Sequence, residues 1–230
     1  MTLLGPDDLQ AILLSLSVSS AATVCGVPIA FMAALALARG RFPGRSIVDA
    51  LVHLPLVVPP VATGFALLVL LGRQGILGRT LARVGIVFAF DWKGAALAAA
   101  VMAFPLMVRP MRLAIEAIDR EVDEAALTLG AGRLARLWRV TLPLALPGLI
   151  AGILLCFARA LGEFGATITF VSNIPGETQT ISAAIYTLTQ VPGGDAAAGR
   201  LVLIAIALAL AALIASEWLA RRAAIRFHGE

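Results

Sequence analysis

Five apolar runs, at about 9–38, 48–71, 94–115, 144–171 and 201–220, most constrain what this chain can become. A helix rises about 1.5 Å per residue, so roughly twenty residues cross the hydrocarbon core of a bilayer. Runs of that length satisfy their own backbone N–H and C=O groups in lipid by coiling into helices. The share of hydrophobic residues is 60%, the charged share 14% and the mean hydropathy +0.95. Soluble domains are apolar to about half even when glycine is counted. The expected architecture is an all-α polytopic membrane protein, a single domain over residues 1–230 with five crossings. No internal repeat or linker divides it.

Two intervals between the runs are ambiguous. Residues 72–93 contain an apolar patch at 84–90, too short to cross, which reads as an interfacial or re-entrant piece. Residues 172–200 contain a marginal stretch at 181–188 bounded by Pro-Gly turns. Its hydroxyls and glutamines argue against lipid exposure.

Arginine placement sets the expected orientation. Arg39, Arg41 and Arg45 follow the first run, Arg133, Arg136 and Arg139 lie between the third and fourth, and Arg221, Arg222 and Arg226 close the chain. Asp7 and Asp8 precede the first run uncompensated. With five crossings the basic segments share the cytoplasmic side, the N-terminus falls outside and the C-terminus inside. Arg73, Arg79 and Arg83 dissent from this arrangement. The first residues lack the basic start of a cleaved signal, so the first run is expected to remain as a span.

The polar stretch 119–143 has an internal order. Asp119, Glu121, Asp123 and Glu124 lead and the arginines follow, which suits the ends of short helices. Val122, Ala125, Ala126 and Leu129 recur at helical spacing, forming a small-residue apolar stripe fit for a groove on another protein. Gly130 and Gly132 then stop the helix and let backbones come close.

Prolines mark other joints. Pro55, Pro59 and Pro60 cluster in the second run, Pro105 interrupts the third, and Pro143 and Pro147 enter the fourth. Each removes a backbone donor and bends a helix, and the cluster reads as a hinged segment in a moving gate. His53, just before it, reads as an interfacial histidine.

Arg159 and Glu163 stand one helical turn apart in the fourth run, on one face, where they can pair. Charges inside a membrane are costly unless paired or facing water, so the pair either lines an anion path or locks the fourth span to its neighbours. Gly162 and Gly165 suit a close helix seam between two copies. Cys25 and Cys156 lie within apolar runs and read as small buried hydrophobes. Ser216, Glu217 and Trp218 read as an interfacial anchor.

Enzymatic chemistry finds no purchase. The chain has no GxxxxGK[ST] phosphate loop, no Ser/His/Asp or Cys/His nucleophile set, and no histidine or carboxylate at metal-ligand spacing beside His53. Basic patches interleaved with exposed aromatics are also missing, so nucleic acid is not an expected partner. No catalytic residue, metal site or bound cofactor is expected in this chain. Without the phosphate loop the chain cannot itself hydrolyse ATP by that chemistry.

The order Glu124-Ala125-Ala126, three residues, Gly130, nine residues, Val140-x-Leu142-Pro143 resembles the coupling loop of permease subunits of ABC importers. Val140 stands where isoleucine is commoner in that family. Further segments, Phe42-Pro43-Gly44, the stretch from His53 to Pro60, Phe104 to Arg109, and the run from Ala160 to Thr178, resemble the permeases of bacterial molybdate importers in particular. Sulfate and thiosulfate permeases share Leu161-Gly162-Glu163-Phe164-Gly165, so that piece marks only the oxyanion branch; the continuation from Thr169 to Thr178 and Pro192-Gly193-Gly194 favour molybdate.

The resemblance implies the type I importer transmembrane fold with a cytoplasmic coupling helix. It implies two copies of the chain, two copies of a cytoplasmic ATPase that holds ATP and Mg, and a periplasmic binding protein delivering molybdate or tungstate. Glu124, Ala125, Ala126, Leu129, Gly130 and Gly132 would couple to the ATPase. Pro55, Pro59, Pro60, Arg159, Glu163, Phe164 and Gly165 would line the path or its gate. The competing readings are a sulfate or thiosulfate permease of the same fold, an ATPase-independent secondary transporter or channel, and a membrane anchor that transports nothing.

Overall fold

The computed structural model describes residues 5–228, and every element among them is helical. Four helices are long and apolar enough to cross a membrane: α1 (Pro6–Arg39), α5 (Trp92–Glu116), the continuous rod Arg133–Leu161, and α11 (Asp195–His228), whose crossing part is Asp195–Leu219. The second run forms α2 (Arg45–His53), a tight turn at Leu54–Leu56 and α3 (Pro60–Leu71), and is bent by 110° between its halves. Counted as one broken span, it makes the fifth crossing. The side chains of Ser216, Arg221 and Arg226 lie outside the described ones.

Helix α5 is the hub, more buried over its span than the other three crossing helices. Its inward positions carry Ala95, Ala98, Ala99, Met102, Ala103, Met107, Met111 and Ile115, each 3% exposed or less. Helix α1 answers with Val18, Ala22, Gly26, Ala30, Ala34 and Leu37, three or four residues apart on one stripe that continues through Ser15 and Ala11 toward the later helices. Small residues at that spacing let helix backbones approach closely where lipid supplies no hydrophobic push. Val18 and Ala22 share a cluster with Ala95 to Met102, and Ala30 to Leu37 share another with Ala103 to Ile115, so α1 and α5 run parallel.

The rod Arg133–Leu161 contains α7 (Arg133–Arg136), a wide π turn at Leu137–Thr141 and α8 (Leu142–Leu161). Pro143 cannot donate to the carbonyl four residues back and its ring crowds that turn, so widening just upstream keeps the rod continuous. Gly148 packs against the Pro110 carbonyl, and Gly152 against that of Met107, so α8 runs antiparallel to α5 with no room for a Cβ at either contact.

The fourth apolar run is not one straight helix. It ends as α8 at Leu161, breaks over 162–164, and resumes as α9 (Gly165–Val171). Val171 lies against Gly94 near the start of α5, so the break falls within the height α5 spans, nearer its N-terminal end. Helix α9 lies along α3. A Cβ on Gly165 would come within 2.7 Å of the Pro60 Cβ, and one on Gly64 would run into the backbone of Ala166. The close-packing role expected of Gly165 is therefore taken by α3 of the same chain, while Gly162 faces open space. Gly64→Val, which places three carbons against backbone, is expected to lower unfolding stability by about 1–3 kcal/mol. Thermal unfolding of the purified chain against wild type measures it.

The ambiguous intervals resolve without further crossings. Residues 72–91 contribute only α4 (Gly78–Arg83), and 84–90 is irregular backbone between two turns, with Gly85 at φ 79°. The 181–188 stretch becomes α10 (Ile181–Thr189), about 13 Å of helix, too short to cross. It is fixed by Ser15 on α1, whose buried Oγ accepts the Ile181 N–H at 2.8 Å. Asp8 is not uncompensated: Oδ2 accepts the Gly5 N–H at 3.0 Å and Arg200 of α11 stands 3.9 Å away. Cys156 is buried as expected, but Cys25 is exposed in an open cleft that α1 shares with α2 and α5, because the α1 stripe facing α5 passes through Gly26 and not through its neighbour.

Candidate functional site

Two groups of residues stand apart from the packing of the bundle. The first is at the end where α1 and α5 finish. Helix α6 (Arg120–Thr128) starts at Asp119, whose Oδ1 accepts the Glu121 N–H at 3.0 Å, closing the first turn with a carboxylate. It stops in a two-bond C-terminal turn: the Gly130 N–H donates to Leu127 O at 2.9 Å and the Ala131 N–H to Ala126 O at 3.0 Å. Gly130 takes φ +80°, the left-handed position such a turn needs. Gly132 serves otherwise, at φ −63° before α7, with nothing near a Cβ there; the close backbone approach expected of this glycine pair is not used within the chain.

No side chain of α6 is buried among those described. Val122, Ala125 and Leu129 are exposed and Ala126 is half-buried; Leu129, at 87%, is the most open large apolar side chain among the described residues. Glu124 is exposed as well. On a helical wheel these apolar residues gather on one side, and Asp123, Glu124 and Leu127 turn the other way, toward a cleft of about 450 Å³ between α6 and the ends of α1 and α5. This apolar stripe on a charged short helix is left uncovered by the described residues.

Ion pairs knit this end. Arg39 Nη1, from the last turn of α1, meets Asp123 Oδ2 at 2.7 Å, and Arg136 Nη1 of α7 reaches the same oxygen at 3.6 Å. Arg112 of α5 meets Asp49 of α2 at 2.9 Å and Glu116 at 2.8 Å, and Arg45 joins Glu116 at 3.6 Å. His53 folds back onto Asp49, its Nδ1 2.8 Å from the backbone oxygen and 3.2 Å from the carboxylate. Sequence reasoning singled out His53 and counted Arg39 only for orientation, and passed over Asp49, Arg112 and Glu116. The available signal was the i, i+4 spacing of Arg112 with Glu116 and of Asp49 with His53 at the ends of apolar runs.

The second group surrounds the two helix breaks. Pro59 ends the turn segment in extended conformation (φ −54°, ψ 135°) and Pro60 opens α3 at its first position, where a missing N–H costs nothing. Gly165 rests on Pro60, so the breaks at 57–59 and 162–164 adjoin. Pro55 lies apart, in the turn before them, lining an apolar cleft of about 470 Å³ with Cys25, Val52 and Phe104. Arg159 and Glu163 pair as expected, Nη1 to Oε2 at 2.7 Å. The contact is an ion pair without hydrogen-bond alignment. The other carboxylate oxygen accepts the Ala166 N–H at 2.9 Å, clamping the start of α9. Glu163 is buried and Arg159 is 31% exposed, so the guanidinium carries the pair's open side. The Phe164 ring stacks obliquely on Tyr186 of α10, 5.2 Å between centroids.

Comparison with known proteins identifies the family and the fold. Residues 26–225 match the family described as "Binding-protein-dependent transport system inner membrane component". The chain is 57% identical over 220 residues to the molybdenum transport system permease protein ModB of Escherichia coli K12, covering 95% of this chain and 96% of that one. It is 51% identical over 216 residues to the ModB of Haemophilus influenzae, with 94% of each covered. The sulfate transport system permease CysT of Salmonella typhimurium is 37% identical over 186 residues, 81% of this chain and 67% of that protein. Among solved structures, a bacterial alginate ABC importer superposes with a TM-score of 0.75 at 21% identity, over 95% of this chain and 80% of that one. The MetNI methionine ABC transporter superposes with 0.73 at 18%, over 94% and 95%; these two likenesses speak to fold. The chain therefore belongs to the binding-protein-dependent transport system inner membrane components, with the type I ABC importer permease fold, as a multi-pass inner-membrane subunit carrying no ATPase motif of its own.

Proposed function

We propose that this chain is the permease subunit of an ATP-driven importer of molybdate, working as two copies with two copies of a cytoplasmic ATPase and a periplasmic binding protein. The observation that carries the substrate is 57% identity to a molybdenum permease over nearly the full length of both chains. Sulfate as the cargo has the weaker support of 37% identity. The observation that supports an external motor is the open stripe of α6 at Val122, Ala125, Ala126 and Leu129, with Gly130 and Gly132 closing it and Glu124 on the opposite, cleft side. ATP and Mg sit on the ATPase in this reading, and the permease supplies no cofactor site.

Transport follows from the joints. The stripe of α6 lies on the cytoplasmic face in a groove of the ATPase, so closure of the ATPase dimer moves α6 and with it the bundle. A motor shifts the two-state equilibrium of the permease only by holding one state better than the other, which requires that docked contact. The breaks beside Pro59–Pro60 and Phe164–Gly165 lean on each other, so α3 and α9 move together as the gate, with Pro55 in the turn that leads into it. Arg159 presents free N–H donors beside this gate, and a guanidinium can hold two oxygens of a tetrahedral dianion at once. Glu163 holds it by one edge and keeps α9 in place.

The test is uptake by the permease, its ATPase and its binding protein in liposomes. ATP-dependent molybdate accumulation, reduced by excess tungstate and insensitive to sulfate, is the expected result. Accumulation by the permease alone would make it a secondary transporter or channel. Competition by sulfate at equal concentration would move it to the sulfate branch, and no transport at all would leave an anchor.

A further inference from the structure

Helix α6 offers an outer face for a partner but almost nothing to pull with. It has no buried side chain among those described, so packing does not fix it to the bundle. Its inner side faces the polar cleft of about 450 Å³, and beyond Arg39 a second, apolar cleft of about 770 Å³ lies between α1 and the α7 end of the long rod, lined by Met32, Leu35, Leu134 and Leu137. Arg39 and Arg136 line both clefts, so they stand where the α6–α7 hairpin and α1 are separated by open space on either side. What crosses that space is Asp123, 2.7 Å from Arg39 and 3.6 Å from Arg136.

We propose that Asp123 is the strut that carries displacement of α6 into α1 and α7, a positioning residue for transport distinct from the apolar stripe that meets the ATPase. The inference rests on the reading of α6 as the helix the motor moves. Asp123 points away from the stripe, so it can bear load without touching the docked partner. Its side chain and that of Arg136 are only 22% and 19% exposed, so the charges meet in a partly dehydrated place. Asp123 Oδ1 and Arg136 Nε are both out of reach of solvent and neither has a hydrogen-bond partner. Their second bonds are unmade here, which leaves the strut a closer, two-bond arrangement to enter when α6 shifts. Just downstream the π turn at Leu137–Thr141, with the Thr141 hydroxyl buried and unpartnered, is the joint about which α7 can swing relative to α8. Arg39 is at the last turn of α1, the helix whose stripe is locked along α5, so a push there acts on the whole parallel pair.

The experiment uses the reconstituted complex of permease, ATPase and binding protein with molybdate as the probe. Asp123→Asn removes the charge at nearly constant shape, Asp123→Arg reverses it, and Arg39→Asp/Arg136→Gln/Asp123→Arg exchanges the pair without leaving Arg136 against the new cation. In Asp123→Asn and Asp123→Arg, the ATPase is expected to stay bound with its substrate-independent hydrolysis intact. Stimulation by loaded binding protein and uptake fall by roughly tenfold or more, the size of an ordinary coupling term between sites. The exchange is expected to restore a substantial part of both. Full stimulation in Asp123→Arg would overturn the strut. So would loss of ATPase retention in Asp123→Asn, which would make Asp123 a docking residue, and so would an exchange no better than its single variants. If wild type itself shows no ATP-dependent uptake, the function assigned above fails instead.

Discussion

Leu129→Asp is expected to detach the ATPase from the membrane subunit while leaving that subunit folded. The side chain is 87% exposed, so its replacement by a carboxylate disturbs nothing inside this chain. Docked in a partner's groove the same carboxylate loses its water, and burying an unpaired charge is among the costliest single changes. The expected loss of ATPase affinity is roughly thirtyfold or more, equivalent to truncating a hot-spot residue worth about 2 kcal/mol. Co-purification of the ATPase in detergent reads the loss, and the thermal unfolding midpoint of the permease reads the unaltered fold. Gly130→Val should weaken the same association by a different route. At φ +80° a side chain costs about 1–2 kcal/mol, and a β-branched one more, so the last turn of α6 would unwind rather than repel. Unchanged ATPase retention in Leu129→Asp would place docking elsewhere.

The second large effect belongs to Arg159. Arg159→Gln keeps a long polar side chain but removes the charge and the two-pronged donor, and is expected to lower molybdate uptake by more than tenfold with the ATPase still bound. Its partner should behave differently. Glu163→Ala withdraws the cap from Ala166 and strands Arg159 beside the break at 162–164, so it is expected to destabilise the fold as well as transport. Breaking a fully buried ion pair costs about 3–5 kcal/mol, and with Arg159 31% exposed the loss should fall below that range. Uptake and thermal unfolding measured on both variants separate the roles. If Arg159→Gln transports normally, the pair is a lock between elements and not a contact for the anion.

Much of this was legible in the residues because the relevant physics is local or nearly so. Apolar length alone placed the crossings, and the acidic lead, apolar stripe and Gly130 marked a short helix within 119–143, where α6 stands. Proline clustering located the bend before α3. What escaped depends on which helices become neighbours. Gly165 looked like a seam for a second copy, but α3 bends back far enough for Pro60 to take its place. Nothing in the fourth run announced the break at 162–164, since Leu161, Gly162 and Phe164 continue an apolar pattern and only Glu163, turning to cap Ala166, reveals it. The strut between Arg39 and Asp123 joins residues 84 apart and has no local signature at all.

The central claim is that the outer face of α6 is where an ATPase grips this chain from the cytoplasm. It is tested most directly by placing a single cysteine at Leu129 in a Cys25→Ala background and reacting it with a membrane-impermeant maleimide. The account predicts labelling in inside-out vesicles only, and protection when the ATPase is bound. Labelling from the outer side, or undiminished labelling in the assembled complex, would contradict it.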